Sequence, residues 1–283
     1  MSKNALTVIP IQAPVHQSAF NLSHTLLEAI AAADEHLQDG DVLAISSKYV
    51  AISEGRVIDM DDVIPSPRAE EMAARYNIEP RIAELVIREA DHIFGGIQLG
   101  FLLTATHGVI APNAGLDRSN IPNGKVVLLP AYPYRSAAEI RATLQAALNV
   151  NIGVVLTDSW LAPGRLGTMG IALATAGFRP VLDERGKSDL FGNPMRVTQR
   201  GIADSISVCA QMVMGERDEA TPIAIVRNSG VQLEDVDVSV EDVAIPWPMC
   251  IYVESLTLGL LPDGAPDRPY SLELLKQNGH VAG

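Results

Sequence analysis

Gly153-Val-Val-Leu-Thr-Asp-Ser159 is a continuous apolar run that ends on a carboxylate and a hydroxyl. A run this short and this apolar reads as a buried strand, and strand ends are where α/β-type folds gather their chemistry. Upstream, Val109 to Ala111 reads as strand and opens into Ala111-Pro-Asn-Ala-Gly-Leu-Asp-Arg-Ser-Asn120, which sets a carboxylate, two amides and a hydroxyl around a glycine turn. Two strand-end aspartates, Asp117 and Asp158, could therefore share a metal.

Outward from these two runs, strands and helices alternate. Leu6 to Ile11 reads as a strand, and Leu26, Leu27, Ile30 and Ala31 recur at helical spacing until Gly40. Val42 to Ser46 and Tyr49 to Ile52 read as short strands on either side of Ser46-Ser47-Lys48. Helices are expected over Arg68 to Tyr76, over Pro80 to Ala90 with proline in its favoured first-turn position, over Ser136 to Leu148, and from about Gln199 to Met214. Phe101 to Thr106, Lys125 to Leu129, Ile171 to Thr175 and Pro222 to Val226 complete the expected strands. The glycine-rich Pro163-Gly-Arg-Leu-Gly-Thr-Met-Gly170 allows close backbone approach to a ligand. The last fifty or so residues carry five prolines and read as loops.

At 283 residues and 47% apolar, the chain can bury a sizeable core by itself. Its formal charge of −13 excludes broad binding to a nucleic-acid backbone, which needs clustered Lys and Arg. Cys209 and Cys250 stand far apart and in no ligand spacing, so neither a disulfide framework nor a structural zinc is supported. The N-terminus lacks a signal-peptide layout, and no run reaches the roughly 18 apolar residues of a membrane span. The expectation is a soluble, cytoplasmic protein with no membrane or nucleic-acid partner.

The short signatures of phosphate loops, dinucleotide folds, zinc proteases and nucleophile elbows are all missing. An ordered series is present instead: Gly40-Asp-Val-Leu43, Ser46-Ser-Lys48, Glu54-Gly-Arg56, Pro65-Ser66, Asn113-Ala-Gly-Leu-Asp-Arg-Ser-Asn120, Leu128-Leu-Pro130, Thr157-Asp158, Arg185-Gly186, Asp189-Leu-Phe-Gly192, Val197-Thr198, Ala203-Asp204 and Val213-Met-Gly-Glu216. From about residue 8 to about 228 this series resembles the coenzyme F420-0:L-glutamate ligase (gamma-glutamyl ligase) family. The resemblance implies an α+β fold particular to that family, with mixed α/β sheets covered by helices. It implies a ligase-like domain over residues 1–230, with room for two subdomains, and a loop-rich extension over 231–283. The implied activity is a GTP- and divalent-metal-dependent ligation of L-glutamate to F420-0, or to a related anionic acceptor, through an acyl phosphate. The partners are then small molecules (nucleotide, L-glutamate and a deazaflavin-type acceptor) and a second copy of the chain in a homodimer.

Carried over residue by residue, Asp117, Asp158 and Ser159 are the expected ligands of Mg²⁺ or Mn²⁺, hard ions that prefer oxygen. Ser46, Ser47, Lys48, Asn113, Ser119, Asn120 and Thr168 are the expected nucleotide contacts, and Lys48 and Arg165 the cations expected to act in catalysis. Three loops depart from the family pattern. Thr157-Asp-Ser-Trp-Leu-Ala-Pro-Gly-Arg165 displaces an aromatic and an arginine, Leu129-Pro-Ala-Tyr-Pro-Tyr-Arg-Ser-Ala137 replaces two acids by tyrosines, and Ala203-Asp-Ser205 lacks a carboxylate. These departures keep two alternatives open: a ligase with a different acceptor, and a nucleotide-binding homologue without catalysis.

Overall fold

In β1 (Thr7–Ile11) and α1 (Leu22–Ala32) the chain lays down an edge strand and a helix that starts where the Asn21 side chain accepts the His24 N–H at 3.1 Å. This computed structural model describes residues 5–253. β2 (Val42–Ser46) passes straight into α2 (Ser47–Ser53), and β3 (Val57–Asp59) follows. α3 (Pro67–Tyr76) and α4 (Pro80–Glu89) each begin at a proline, and α3 ends on Asn77 at φ 55°. An antiparallel meander of β4 (His92–Ile97), β5 (Phe101–Thr106) and β6 (Val109–Pro112) leads to β7 (Lys125–Val127), which pairs with β3. Beyond α5 (Pro133–Leu148), β8 (Gly153–Leu161) and β9 (Thr168–Ala176) form a long hairpin. A second hairpin, β10 (Val181–Asp183) and β11 (Gln199–Gly201), precedes α6 (Ile202–Met214) and β12 (Ile223–Arg227).

The central sheet runs in the order β1-β12-β2-β8-β9, and within it only β2 and β8 are parallel. Both of its faces are covered, which is why its strands read as unbroken apolar runs. Leu43, Ile45, Val154, Leu156, Ile223 and Ile225 point to α1 and α5, while Val42, Ala44, Val155, Ala224 and Val226 point to α6. A second core lies under α3 and α4, where Ile82, Leu85 and Val86 meet Leu102, Val126 and Leu128. The α+β class expected from the sequence is observed. No described helix is long and apolar enough to cross a membrane.

Several details differ from the sequence reading, among them Gln199–Gly201, expected to open the last helix but found as strand β11, and the short strands β3 and β10, which no pattern indicated. Tyr49 to Ile52 is helical in α2, because a buried apolar run of four residues carries no period that separates strand from helix. β4 was not anticipated; Gly95 and Gly96 interrupt its pattern, and its pairing with β5 slips between Ile93 and Gly95. β8 continues three residues past Asp158, and β9 starts at Thr168, so the glycine-rich segment forms a hairpin loop up to Gly167 and the first residues of β9 beyond it. At the far end of the sheet, residues 229–244 pack back onto the body: Glu234 donates its N–H to Gly177 O at 2.9 Å and Asp235 pairs with Arg141 at 2.9 Å. A separate unit begins at Ile245, of which a 3-10 turn at Trp247–Met249 is described, and the remainder of the expected extension lies outside the described residues.

α3 and α4 are fastened to each other by a buried carboxylate. Glu84 accepts the Ser66 N–H at 3.0 Å and the Arg88 Nε–H at 2.8 Å. Hydrogen bonds from Ser66, then Arg88, lower its pKa to about 2. A depressed folded-state value contributes stability that is present above the unfolded pKa of about 4.3 and is lost as pH falls through the folded one. Glu84→Gln is therefore expected to lower stability by about 1 kcal/mol at pH 7, with the gap to the parent protein closing between about pH 4.5 and 2. Urea unfolding across that range checks it, and a gap independent of pH would refute it.

Candidate active site

β2 stops at Ser46, which lies opposite Thr157, while its parallel partner β8 runs on to Leu161. From Asp158 onward β8 thus has a free edge, and the chain that would have covered it turns away into α2. A cavity of about 820 Å³ opens there, lined by Ser46, Lys48, Asp117, Asp158, Ser159 and Glu216 among others. A site at the carboxyl ends of parallel strands is the expected place for a ligand in such a sheet.

Ser47, at the first position of α2, donates its hydroxyl to Asp158 Oδ2 at 2.5 Å, and the Ser159 N–H donates to Oδ1 at 2.7 Å. Burial above all, with the nearby Asp117 charge, pushes the Asp158 carboxyl up to about 6 against the opposing pull of Ser47, Ser159 and Lys48. Asp117 is placed from the other side. It is paired with Val127 through two backbone hydrogen bonds of 2.9 Å, which pin the loop after β6 against β7. Its carboxylate meets Lys48 Nζ at 2.5 Å, the Ser119 N–H at 2.7 Å and the Ser119 hydroxyl at 3.1 Å. Burial works against its charge, but Lys48 and Ser119 outweigh it and hold Asp117 below the usual carboxylate range.

Lys48 also donates to Ser119 O at 3.1 Å and Ser119 Oγ at 2.8 Å, so one ammonium joins α2 to the loop. Asn120, at φ 51°, lines the cavity and donates its amide to Arg217 O at 2.7 Å. Asn113 serves the loop itself: its side chain accepts the Leu102 N–H at 2.8 Å and donates to Gly100 O at 3.3 Å, away from the cavity lining. Arg165 stands exposed in the β8–β9 hairpin loop, outside the lining. Thr168 reaches the site indirectly, through a 3.3 Å hydrogen bond to Glu216.

Glu216 is the residue that the sequence reading passed over as a participant. It sits on the segment after α6, and accepts the Ser159 hydroxyl at 3.1 Å as well as the Gln211 amide. Its signal was the Gly215-Glu216 pair at the end of a matched motif, in which Gly215 caps α6. His16 was also missed: it lines the cavity, stacks on Phe20 at 3.8 Å between ring centres, and its Nε2 is buried without a hydrogen-bond partner. Of the three altered loops, Thr157 to Arg165 lines the cavity through Asp158, Ser159 and Trp160, while the other two lie elsewhere. Tyr132 is exposed and Tyr134 packs against the core beneath α5, neither lining the cavity, and Ser205 turns its hydroxyl back to Gly201 O at 2.7 Å. Glu54 caps the start of α5 through Ala131 N at 3.0 Å and Ser136 Oγ at 2.6 Å.

Among the described residues, no group of three or more His, Cys, Asp or Glu side chains forms a ready-made metal cage. The donors present are two mutually repelling carboxylates flanked by hydroxyls. Such a set suits a hard divalent cation that keeps waters and phosphate oxygens in its shell.

Comparison with known proteins agrees with the motif series. The family model described as F420-0:Gamma-glutamyl ligase matches residues 10–228. The chain is 39% identical over 212 residues to the coenzyme F420:L-glutamate ligase of Methanopyrus kandleri, covering 74% of this chain and 82% of that protein. It is 40% identical over 208 residues to the protein of the same name from Halobacterium salinarum, with 71% and 80% covered. For the Methanocaldococcus jannaschii protein the figures are 34% over 232 residues, with 81% and 90% covered. The chain belongs to the F420-0:gamma-glutamyl ligase family.

Proposed function

We propose that this chain is a GTP- and divalent-metal-dependent amide ligase that joins L-glutamate to coenzyme F420-0 or to a related anionic small-molecule acceptor. The observation that carries the reading is the meeting of Lys48, Asp117, Asp158, Ser159 and Glu216 in one cavity, within a family whose relatives are named as L-glutamate ligases. Asp117, Asp158 and Ser159 would hold Mg²⁺ or Mn²⁺, with Glu216 beside them. The ion would neutralise phosphate charge in a pocket that otherwise repels it.

The chain's own residues do the rest. Lys48 is a point charge for nucleotide phosphate, and Ser119 and Asp117 hold it in place. Ser46, Ser47, Ser119 and Asn120 line or brace the wall that a nucleotide would contact. With Arg165 exposed on its hairpin, Lys48 and Arg217 are the lysine and arginine that line the cavity. In the balanced reaction an acceptor carboxylate oxygen takes the terminal phosphoryl group of GTP and releases GDP. The glutamate amine then forms the amide and releases phosphate, losing a proton. The work is positioning and charge neutralisation, which suits a rigid, polar cavity. Of the departures behind the non-catalytic alternative, Ser205 lies outside the cavity, whereas Ser159 and Trp160 line it.

A second copy of the chain is part of the proposal. The arm between β10 and β11 is a hairpin closed by Gly186 N to Met195 O and Met195 N to Lys187 O, each 2.8 Å. Along it Leu190 is fully exposed, Phe191 is 90% exposed and Val197 is 83% exposed. Apolar side chains projected together into water mark an association surface.

Incubation with GTP, Mn²⁺ or Mg²⁺, L-glutamate and F420-0 is expected to yield GDP, phosphate and an acceptor heavier by one glutamyl unit. Asp117→Ala and Asp158→Ala should each reduce kcat/KM by about 100-fold or more. Phosphate release that needs no amine would replace this reading with a nucleotide hydrolase, and metal-dependent GDP release only with another carboxylate would replace the acceptor. In size-exclusion chromatography the parent protein should elute as a dimer and Leu190→Asp/Phe191→Asp as a monomer; a monomeric parent would overturn the dimer.

A further inference from the structure

β9 does not keep one register along β8. Val154, Val155 and Leu156 face Ala176, Thr175 and Ala174, but Thr157 faces Ala172. Leu173 is therefore one extra residue, a bulge that turns the rest of β9 over. In unbroken alternation Ala172 would share a face with Ala174 and Ala176, which pack toward α1 and α5. It belongs instead to the core under α6.

Every second residue beyond the bulge follows Ala172 to that face. Gly170 lies against the Ser207 carbonyl of α6 so closely that any β-carbon there would collide with it. Thr168, two residues further, meets Glu216 at 3.3 Å. Unbulged, Thr168 would point to the opposite face. The extra residue thus decides whether Glu216 is held from both strands, by Ser159 of β8 and Thr168 of β9.

Two side chains secure the backbone next to the slip. Asp204, in the first turn of α6, accepts the Ala172 N–H at 3.0 Å, and the Thr157 hydroxyl donates to Ile171 O at 3.3 Å. Asp204 does not itself line the cavity. We infer that Asp204 is a positioning residue of the ligase site: it holds the Leu173 bulge and through it sets Thr168 against Glu216 beside Ser159.

This inference rests on the ligase reading for its kinetic consequence and on geometry alone for the bulge. Asp204→Ala and Asp204→Ser, whose shorter side chain cannot reach the Ala172 N–H, are expected to lower kcat about tenfold or more with KM for the acceptor little changed. Asp204→Asn keeps an accepting oxygen and should restore most of the rate. Amide hydrogen exchange at Ala172 should speed up in the Ala and Ser variants and stay slow in Asn. Thr168→Val should show the same loss, and adding it to Asp204→Ala should cost little more, because both act through Glu216. If the Ala variant does not fold, the Ser and Asn variants carry the comparison. The inference is overturned if Asn is as impaired as Ser, if Ala172 exchange is unchanged in Ser, or if the two losses add. Should the parent protein not turn over its substrates, the ligase reading fails, and the exchange measurement alone decides whether Asp204 holds the bulge.

Discussion

The unequal length of two parallel strands governs this molecule. β2 and β8 pair over five residues, from Val42 opposite Gly153 to Ser46 opposite Thr157, and then β2 ends while β8 continues. The backbone groups of β8 beyond that point need other partners, and the Asp158 carboxylate takes the Ser159 N–H. Because β2 passes directly into α2, Ser47 and Lys48 are delivered to the same spot without a connecting loop. Had β2 been longer, it would cover the edge of β8 beside Asp158; had α2 begun later, Lys48 would not reach Asp117.

The electrostatics follow from that geometry. Asp117 and Asp158 are close enough for one to raise the other's pKa, and Lys48 is the cation acting on both. It is in direct contact only with Asp117, so Asp117 is held ionised while Asp158 sits near 6. Glu216 adds a further carboxylate on the far side of Ser159. With Asp117, Asp158 and Glu216 set against Lys48 and Arg217 among its charged lining residues, the cavity gives an incoming phosphate little net positive charge to meet. That charge balance is the physical argument behind the proposed metal-bound nucleotide.

How much of this was legible in the sequence depended on whether a feature had a period. β2, β8 and β12 are covered on both faces and show as apolar runs, and α3, α4 and α5 begin at prolines, so all were readable. α2 was not, because Tyr49 to Ile52 is buried on every side. The Leu173 bulge has no compositional signature, and only the pairing of Thr157 with Ala172 reveals it. Of the site, Asp117, Asp158, Lys48 and Ser119 stood out from motif and turn chemistry and do come together. Glu216 is 57 residues from the serine it binds, a contact that no local pattern encodes.

The best-matched motif illustrates why residue type alone misassigns roles. Asn113, Ala114 and Gly115 all have positive φ, at 50°, 54° and 71°. Three left-handed residues in succession cost conformational energy, which asparagine and glycine reduce and alanine does not. Asn113 compensates with its side-chain bonds to Leu102 and Gly100, and the Ala114 N–H is taken by the buried Thr104 hydroxyl at 2.9 Å. The tight reversal hands the chain from β6 to the Asp117–Val127 bridge within four residues, which is what points the Asp117 carboxylate at Lys48. Asn113 thus serves the cavity without touching it, and its presence in the motif is explained by the backbone it supports.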